Sequence, residues 1–397
     1  MEKVRVALIG LGERGQQYLS DELLCHMDDV EITVLCDIYE DRMQASVGIC
    51  LEKGRKAPDC EADYKKAIDC PDVDVVFIAT SWEFHVDIAV YAMKAGKITA
   101  MEVGGAYDVE DCWRLVRTYE ETGTPFMFLE NCCYGRLEML ALNLAEQGLL
   151  GEVVHCCGAY HHHLASQICN GKENRHYRLR NYALRNTENY PTHELGPIAK
   201  LLHINKGNRM MTLTATASKE VGLHAYLKEN KPDDEKLLNT RFAQGDIVTT
   251  VIKCAGGETI VLTLDTSIMS LGGRDFTVQG THGIVHERTQ SVYSRRVDIA
   301  WDWNNLNAYY EKYDHPKWKD FIAGGVKGSH GGMDWVEFRD FLECVKAGKP
   351  MPIDVYDAAA WMAVTALAEQ SIALGSAPVA IPDFTRGKWV LNSDIDK

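Results

Sequence analysis

The stretch "VRVALIGLGERG", Val4 to Gly15, sets Gly10, Gly12 and Gly15 in G-x-G-x-x-G spacing between a β-branched run and a helical pattern. In such a turn the first glycine makes the tight bend and the second lets backbone approach a pyrophosphate. The third lets helix and strand pack closely. The helix N-terminus beyond it offers N–H donors and positive potential to phosphates, so Glu13 and Arg14 count with the glycines as cofactor-binding candidates. Asp37 closes the next β-branched run, 22 positions after Gly15, where a carboxylate accepts hydrogen bonds from an adenosine ribose. That carboxylate would repel a 2′-phosphate, so the expected cofactor is NAD rather than NADP. Arg42 lies near it and is read as pairing with acidic neighbours. The plainer alternative is a simple tight turn between strand and helix.

Strands and helices continue to alternate up to about Leu129, through "VEITVLCD", "DVDVVFIAT", "KITAMEV" and "PFMFL". Helical patterns fall near Phe84–Ala95 and Val109–Glu121. This alternation implies parallel crossovers and a doubly wound sheet. After Gly151 the pattern becomes successive strand-like runs: "EVVHCCGAYHHH", "MMTLTATAS", "IVTTVIKCA", "ETIVLTLDTS", "RDFTVQGTHGIVHE" and "SVYSRRVDIAW". Short turns between such runs predict an antiparallel sheet. Helices return at Asp334–Ala347 and Ala358–Leu374, and the charged segment His224 to Asn239 reads as a surface excursion. The expected fold is α/β: an NAD-binding Rossmann domain over 1–130 with a doubly wound parallel sheet, then an α+β domain over 131–397. The second domain carries an open, mainly antiparallel sheet, a surface for substrate binding and oligomerisation.

Composition narrows the partners. A net charge of -15 would repel nucleic acid and anionic membrane alike. No apolar run is long enough to span a bilayer. Thirteen cysteines, several inside apolar runs and none in C-x-x-C spacing, read as reduced thiols of a cytoplasmic protein. The first strand begins at Val4, so no signal peptide is expected.

The ends of the later strands should face one crevice. Candidates there are Thr80, Trp82 and His85, then Glu102 and Val103, then Glu130 and Asn131. Trp82 with His85 could pack along the cofactor or simply lid the core. Asn131 could bond ribose or carboxamide, or cap the following helix. Farther on, "NTENYPTHELGPIAKLL" places Tyr190 and His193 three positions apart at a helix mouth, with Pro191 suited to the helix start.

On these features the chain resembles the Gfo/Idh/MocA oxidoreductases along essentially its whole length. Where ordinary members carry Glu-Lys-Pro and Asp-x-x-x-His, this chain has Glu102-Val103-Gly104 and Asn189-x-x-x-His193. The phrases "ATSWEFHVDIAVYAMKAGK", "LENCCYG", "NYPTHELGPIAKLLHINKGNRM" and "HGGMD" resemble one branch, the family 109 glycoside hydrolases, NAD-dependent α-N-acetylgalactosaminidases. The resemblance implies hydrolysis without net redox. NAD+ takes hydride from C3 of the sugar, the ketone acidifies the C2 proton, the C1 substituent leaves, water adds, and hydride returns. The two flanking carboxylates of ordinary glycosidases are not required.

The resemblance also implies roles. His193 would take the C3 hydroxyl proton, its ordinary pKa lying near working pH. Tyr160 matches a tyrosine used in proton transfer at C2 or the leaving oxygen, and Tyr190 would bond a sugar hydroxyl. A phenol normally ionises near 10, so Tyr160 would need a cation beside it; His161, His162 and Arg178 are all open choices. Substrate contacts are expected from Glu130, His162, Arg178 and Asp334, although Asp334 could equally be a first-turn helix charge. No metal is expected: neighbouring strand residues point to opposite faces, so of three consecutive histidines at most His161 and His163 could share an ion. The resemblance implies a small-molecule glycoside as substrate, an N-acetylgalactosaminide or a related hexoside. The alternatives are a sugar dehydrogenase releasing a keto sugar and a non-catalytic sugar or NADH sensor. The open sheet face predicts a homodimer or homotetramer.

Overall fold

In the computed structural model, which describes residues 3–20, 24–328 and 330–391, the chain divides into two compact units. The first draws on Met1–Val103, Glu110–Tyr134 and Pro316–Ala359; the second on Gly104–Val109, Gly135–His315 and Ala360–Lys397.

The first unit is built on six parallel strands: β1 Val4–Ile9, β2 Val30–Cys36, β3 Asp59–Glu61, β4 Val75–Ile78, β5 Ile98–Glu102 and β6 Phe126–Leu129. Their order is β3-β2-β1-β4-β5-β6, so the winding reverses between β1 and β4, where open parallel sheets of this kind bind dinucleotides. Strands covered on both faces are apolar throughout, and every residue of β4 and β6 is buried. The short β3 and the helix Tyr64–Asp69 after it carry little periodicity and were not legible in the sequence. Helix Met333–Ala347 belongs to this unit because Phe338 and Phe341 are fully buried against Phe77, with ring centroids 5.3 and 5.4 Å apart. Tyr18 meets Phe338 edge to face at 4.8 Å. Such contacts add to the burial of the rings themselves.

The second unit carries eight strands: β7 Val153–His161, β8 Met210–Ala217, β9 Ile247–Cys254, β10 Thr259–Asp265, β11 Thr277–Gly280, β12 Gly283–His286, β13 Ser291–Ser294 and β14 Val379–Ala380. Their order is β13-β12-β11-β7-β10-β9-β8-β14, with β7 and β10 parallel and the other pairs antiparallel. Helix Thr192–Leu201 packs on β7, and Gly158 makes room for it: a Cβ there would lie 2.7 Å from that of Glu194. Alternate residues of β9 are exposed, Val251 and Lys253 among them, as a sheet with one face in the core requires.

Two expectations are corrected. The segment read as a surface excursion contains helices Gly222–Asn230 and Glu235–Leu238. Leu223 and Leu227, four apart, bury into a cluster with Leu164, Ile168 and Tyr182. Of "SVYSRRVDIAW" only Ser291–Ser294 is strand; Ile299 and Trp301 beyond it are exposed. All thirteen cysteines are free thiols, and among the described residues no helix is long and apolar enough to cross a membrane.

The glycine turn is held by steric necessity. Gly10 has φ +94°, and a Cβ on it would come within 2.6 Å of the Ala79 backbone. A Cβ on Gly15 would lie 1.9 Å from the Gly10 carbonyl oxygen. Gly15→Ala is therefore expected to push the first helix off β1 and cost about 1–3 kcal/mol of unfolding free energy. A denaturant titration that leaves the midpoint unchanged would refute this.

Candidate active site

Gly12 differs from its two neighbours in the motif. A Cβ there meets nothing closer than Arg42 Nη1 at 3.7 Å, an ordinary contact. The fold itself does not require a glycine at this position, but a pyrophosphate approaching the backbone would. Asp37 is buried, with Oδ2 accepting the Leu11 N–H at 2.7 Å and Oδ1 the Tyr39 N–H at 3.0 Å. A carboxylate has roughly four acceptor positions, so two remain for ribose hydroxyls. Arg42 approaches Asp37 at 3.9 Å. The turn, the helix mouth and this carboxylate together fit a dinucleotide.

The strand ends of the first unit hold a buried ion network. Glu102 is 7% exposed and accepts from Arg14 Nε at 2.5 Å, Tyr18 Oη at 2.6 Å and the Val103 N–H at 2.8 Å. Burial opposes its charge, but Arg14 and the Tyr18 hydroxyl hold its carboxyl below the usual range. Asp334 is fully buried. It accepts from Arg14 Nη1 at 2.8 Å and Asn131 Nδ2 at 2.6 Å, with His330 Nδ1 2.8 Å away. Against burial, the His330 and Arg14 contacts hold this carboxyl far below its ordinary value. Glu337, one turn on, takes the opposite course: burial first, then Asp334 and Glu102, push it well above the carboxylate range. Three sequence candidates, Arg14, Glu102 and Asp334, thus meet each other and have structural work. Tyr18 and Glu337 escaped the sequence reading, although Tyr18 stands four residues after Arg14, whose guanidinium lies 4.8 Å from its ring centroid.

Around these, Glu13 is exposed at the first helical position and Val103 is buried after Glu102. Thr80 is half-buried, and its carbonyl lies 3.0 Å from His85 Nε2. Burial lowers the His85 pKa despite that contact. Trp82 opens the helix Trp82–Lys94 and is buried. Glu130 is buried, its Oε1 accepting the Cys132 N–H at 3.1 Å.

In the second unit the aromatic candidates converge. Tyr160 near the end of β7 lies 4.7 Å from Tyr190 and 5.6 Å from His193, centroid to centroid. Tyr190 and His193 meet edge to face at 4.7 Å. His162 is exposed and stacks on Tyr160 at 5.6 Å, with 10° between the planes. Arg178, 8% exposed, sits 5.4 Å from the Tyr190 ring centroid and donates to Gln167 Oε1 at 2.6 Å. Burial works against its charge, but the phenols of Tyr177, Tyr160 and Tyr190 hold the guanidinium above its usual range. Of the other nearby arginines, Arg175 and Arg180 are exposed, and Arg185 pairs with Glu369 at 2.6 Å.

Local sequence explains the mount. Pro191 precedes Thr192, the first helical residue, and Pro197 lies inside the helix, so it cannot donate to the His193 carbonyl four residues back. Asn189 is locked between Asn181 Nδ2 at 3.0 Å and Gln244 Oε1 at 2.5 Å. His161 belongs elsewhere: its Nε2 is 3.0 Å from Asp275 and its Nδ1 3.5 Å from Asp265. Asp275 stands 114 positions from His161, beyond the reach of any local pattern.

Two family models match the chain. Residues 4–129 match the oxidoreductase family, NAD-binding Rossmann fold, and residues 134–391 match the glycosyl hydrolase 109 C-terminal domain. A glycosyl hydrolase family 109 protein of Stenotrophomonas maltophilia is 38% identical over 412 residues, covering 98% of this chain and 90% of that one. An alpha-N-acetylgalactosaminidase of Tannerella forsythia is 35% identical over 410 residues, covering 98% and 87%. Among solved structures, levoglucosan dehydrogenase in complex with NADH and levoglucosan aligns at a TM-score of 0.72 and 17% identity, covering 96% of this chain and 100% of that one. At that identity the likeness is one of fold.

Two outcomes are expected. Gly12→Val, unlike Gly15→Ala, leaves thermal stability nearly unchanged but abolishes NADH binding by calorimetry; retained binding would remove the pyrophosphate from this turn. Asp334→Asn costs about 3 kcal/mol by breaking a buried pair. Because the folded pKa of Asp334 is depressed, its contribution is complete above about pH 4 and lost as pH falls below that. An acid-unfolding curve should therefore flatten in the asparagine variant.

Proposed function

We propose that this chain, which belongs to glycosyl hydrolase family 109, is an NAD-dependent glycosidase acting on an N-acetylgalactosaminide or a related hexoside. The observation that carries this reading is the cluster of Tyr160, Tyr190 and His193 beside the buried Arg178, in a chain whose other half has a dinucleotide turn. Bound NAD+ would supply a reversible hydride acceptor for C3 of the sugar, leaving no net redox.

The residues then divide the work. His193 takes the proton of the C3 hydroxyl through its imidazole, held edge to face by Tyr190. Once C3 is a ketone the C2 hydrogen is acidic, and Tyr160 removes it as the C1 substituent departs. The attraction between Arg178 and the surrounding phenols favours an ionised Tyr160 oxygen for that step. Tyr190, Glu130, His162 and Arg178 bind sugar hydroxyls. Asp334 acts at one remove, by fixing Arg14 beside the glycine turn. In the first unit Gly10, Gly12, Glu13, Arg14, Gly15 and Asp37 hold the adenosine and phosphates. Thr80, Trp82, His85, Glu102, Val103 and Asn131 line the strand ends toward the nicotinamide. We place the protein in the cytoplasm, in keeping with its free thiols. We also infer a homodimer or homotetramer joined through the exposed side of the eight-stranded sheet, where Met211 and Val251 are 40% and 41% exposed.

Turnover of an aryl N-acetylgalactosaminide in deuterated water should give sugar deuterated at C2, with no lasting NADH absorbance. His193→Ala should lower kcat by roughly 10²-fold or more, and Tyr160→Phe should suppress the C2 exchange. Stoichiometric NADH from a free sugar would instead mark a dehydrogenase, and cofactor binding without C2 exchange a sensor.

A further inference from the structure

Residues 185–189 lead into Tyr190 and His193, and most of their side chains are pinned. Arg185 holds Glu369 at 2.6 Å and the Ala106 carbonyl at 3.3 Å. Asn186 Oδ1 accepts the Gly245 N–H at 2.9 Å. Thr187 donates to the Thr365 carbonyl at 2.5 Å and exchanges backbone bonds with the Gln244 side chain at 3.1 and 2.9 Å. Asn189 is locked as described. Glu188 stands apart. It is 0% exposed, its Oε1 accepts the Tyr190 N–H at 3.4 Å, and its Oε2 is buried with no hydrogen-bond partner among the described residues.

We propose that Glu188 is a positioning residue: a buried carboxylic acid whose protonated form holds the backbone that carries Tyr190 and His193. No cation pairs with it among the described residues, so an ionised carboxylate would be a buried charge offset by one long N–H contact. Burial pushes its carboxyl up to about 8, with the Tyr190 N–H opposing. The groups near it do not reverse this. The Tyr182 phenol, which interacts with Glu188, Arg178 and Asp265, is itself held neutral by burial. Glu194, in the first turn of the next helix, is another buried acid. Neutral Glu188 keeps an acceptor for the Tyr190 N–H and adds one donor. On ionising, it must reach water, and the chain from 188 to 190 moves with it. The ring geometry of Tyr190 and His193 is then lost, so the rate falls on the alkaline side.

The rate measurements rest on the glycosidase reading; the titration does not. In full-length, NAD-loaded protein, kcat on an aryl glycoside should fall with a midpoint near 8. Glu188→Gln, shaped like the neutral acid, should retain the neutral-pH kcat within a few-fold and lose that alkaline fall. Glu188→Ala should lower kcat by roughly tenfold and KM much less. Independently of activity, the 15N–1H resonance of the Tyr190 amide should shift with the same midpoint in the parent and not in Glu188→Gln. A glutamine variant with the parent's alkaline limb, or a Tyr190 resonance indifferent to pH across this range, overturns the proposal. The predicted shift without turnover of any glycoside would preserve the role of Glu188 and sink the glycosidase reading instead.

Discussion

Arg14 occupies the point where the first unit is drawn together. Its guanidinium binds Glu102 at the end of β5 and Asp334 on the helix Met333–Ala347, residues 88 and 320 positions away in sequence. A half-buried cation between two buried carboxylates is stable only if all three stay together, since removing it leaves uncompensated buried charge. The helix that begins at the glycine turn is thereby tied to the far strand ends. Tyr18 and Asn131 complete the bonds, and Glu337 adds a carboxyl that burial, with Asp334 and Glu102 nearby, pushes well above the usual range. The geometry offered to phosphates at one end of this helix is thus set by ion pairs along its side.

In the role proposed for it, the second unit solves a different problem, holding polar groups for a reaction without a pair of exposed carboxylates. Its answer is an aromatic cluster stiffened from behind. Tyr160 rides on a strand in the middle of the sheet, while Tyr190 and His193 ride on a helix start whose approach is tied down residue by residue. Amide-to-amide bonds of this type carry no charge and do not themselves titrate.

How far the sequence disclosed this depended on the range of the cause. The glycine spacing, Asp37 and the Tyr190–His193 offset are local, and each could be placed from neighbours within one turn or one strand. The parallel sheet and the mainly antiparallel one after it followed from alternation and turn spacing, both also local, whereas the parallel pairing of β7 with β10 did not. Glu102 and Asp334 were picked out as polar residues near strand ends or helix starts, but Arg14, which joins them, lies 88 and 320 positions away. Tyr160 entered only through resemblance, because nothing in "HCCGAYHHH" separates it from a strand tyrosine. Among four nearby arginines, Arg178 and Arg185 are equally buried, and it is the contact with the Tyr190 ring that sets Arg178 apart, which was not readable there. At 222–230 the signal was present: Leu223 and Leu227 sit four apart, but the charges around them masked an amphipathic helix.

The guanidinium set under Tyr190 has a bearing on inhibition. Ordinary glycosidases present paired anions to a positive sugar ring, which is why protonated nitrogen analogues of sugars hold them so well. Here the aromatic cluster stands over Arg178, a permanent positive charge. With the sugar seated on this cluster as proposed, an iminosugar would meet repulsion where it normally finds attraction, and neutral or enol-like analogues would suit the arrangement better.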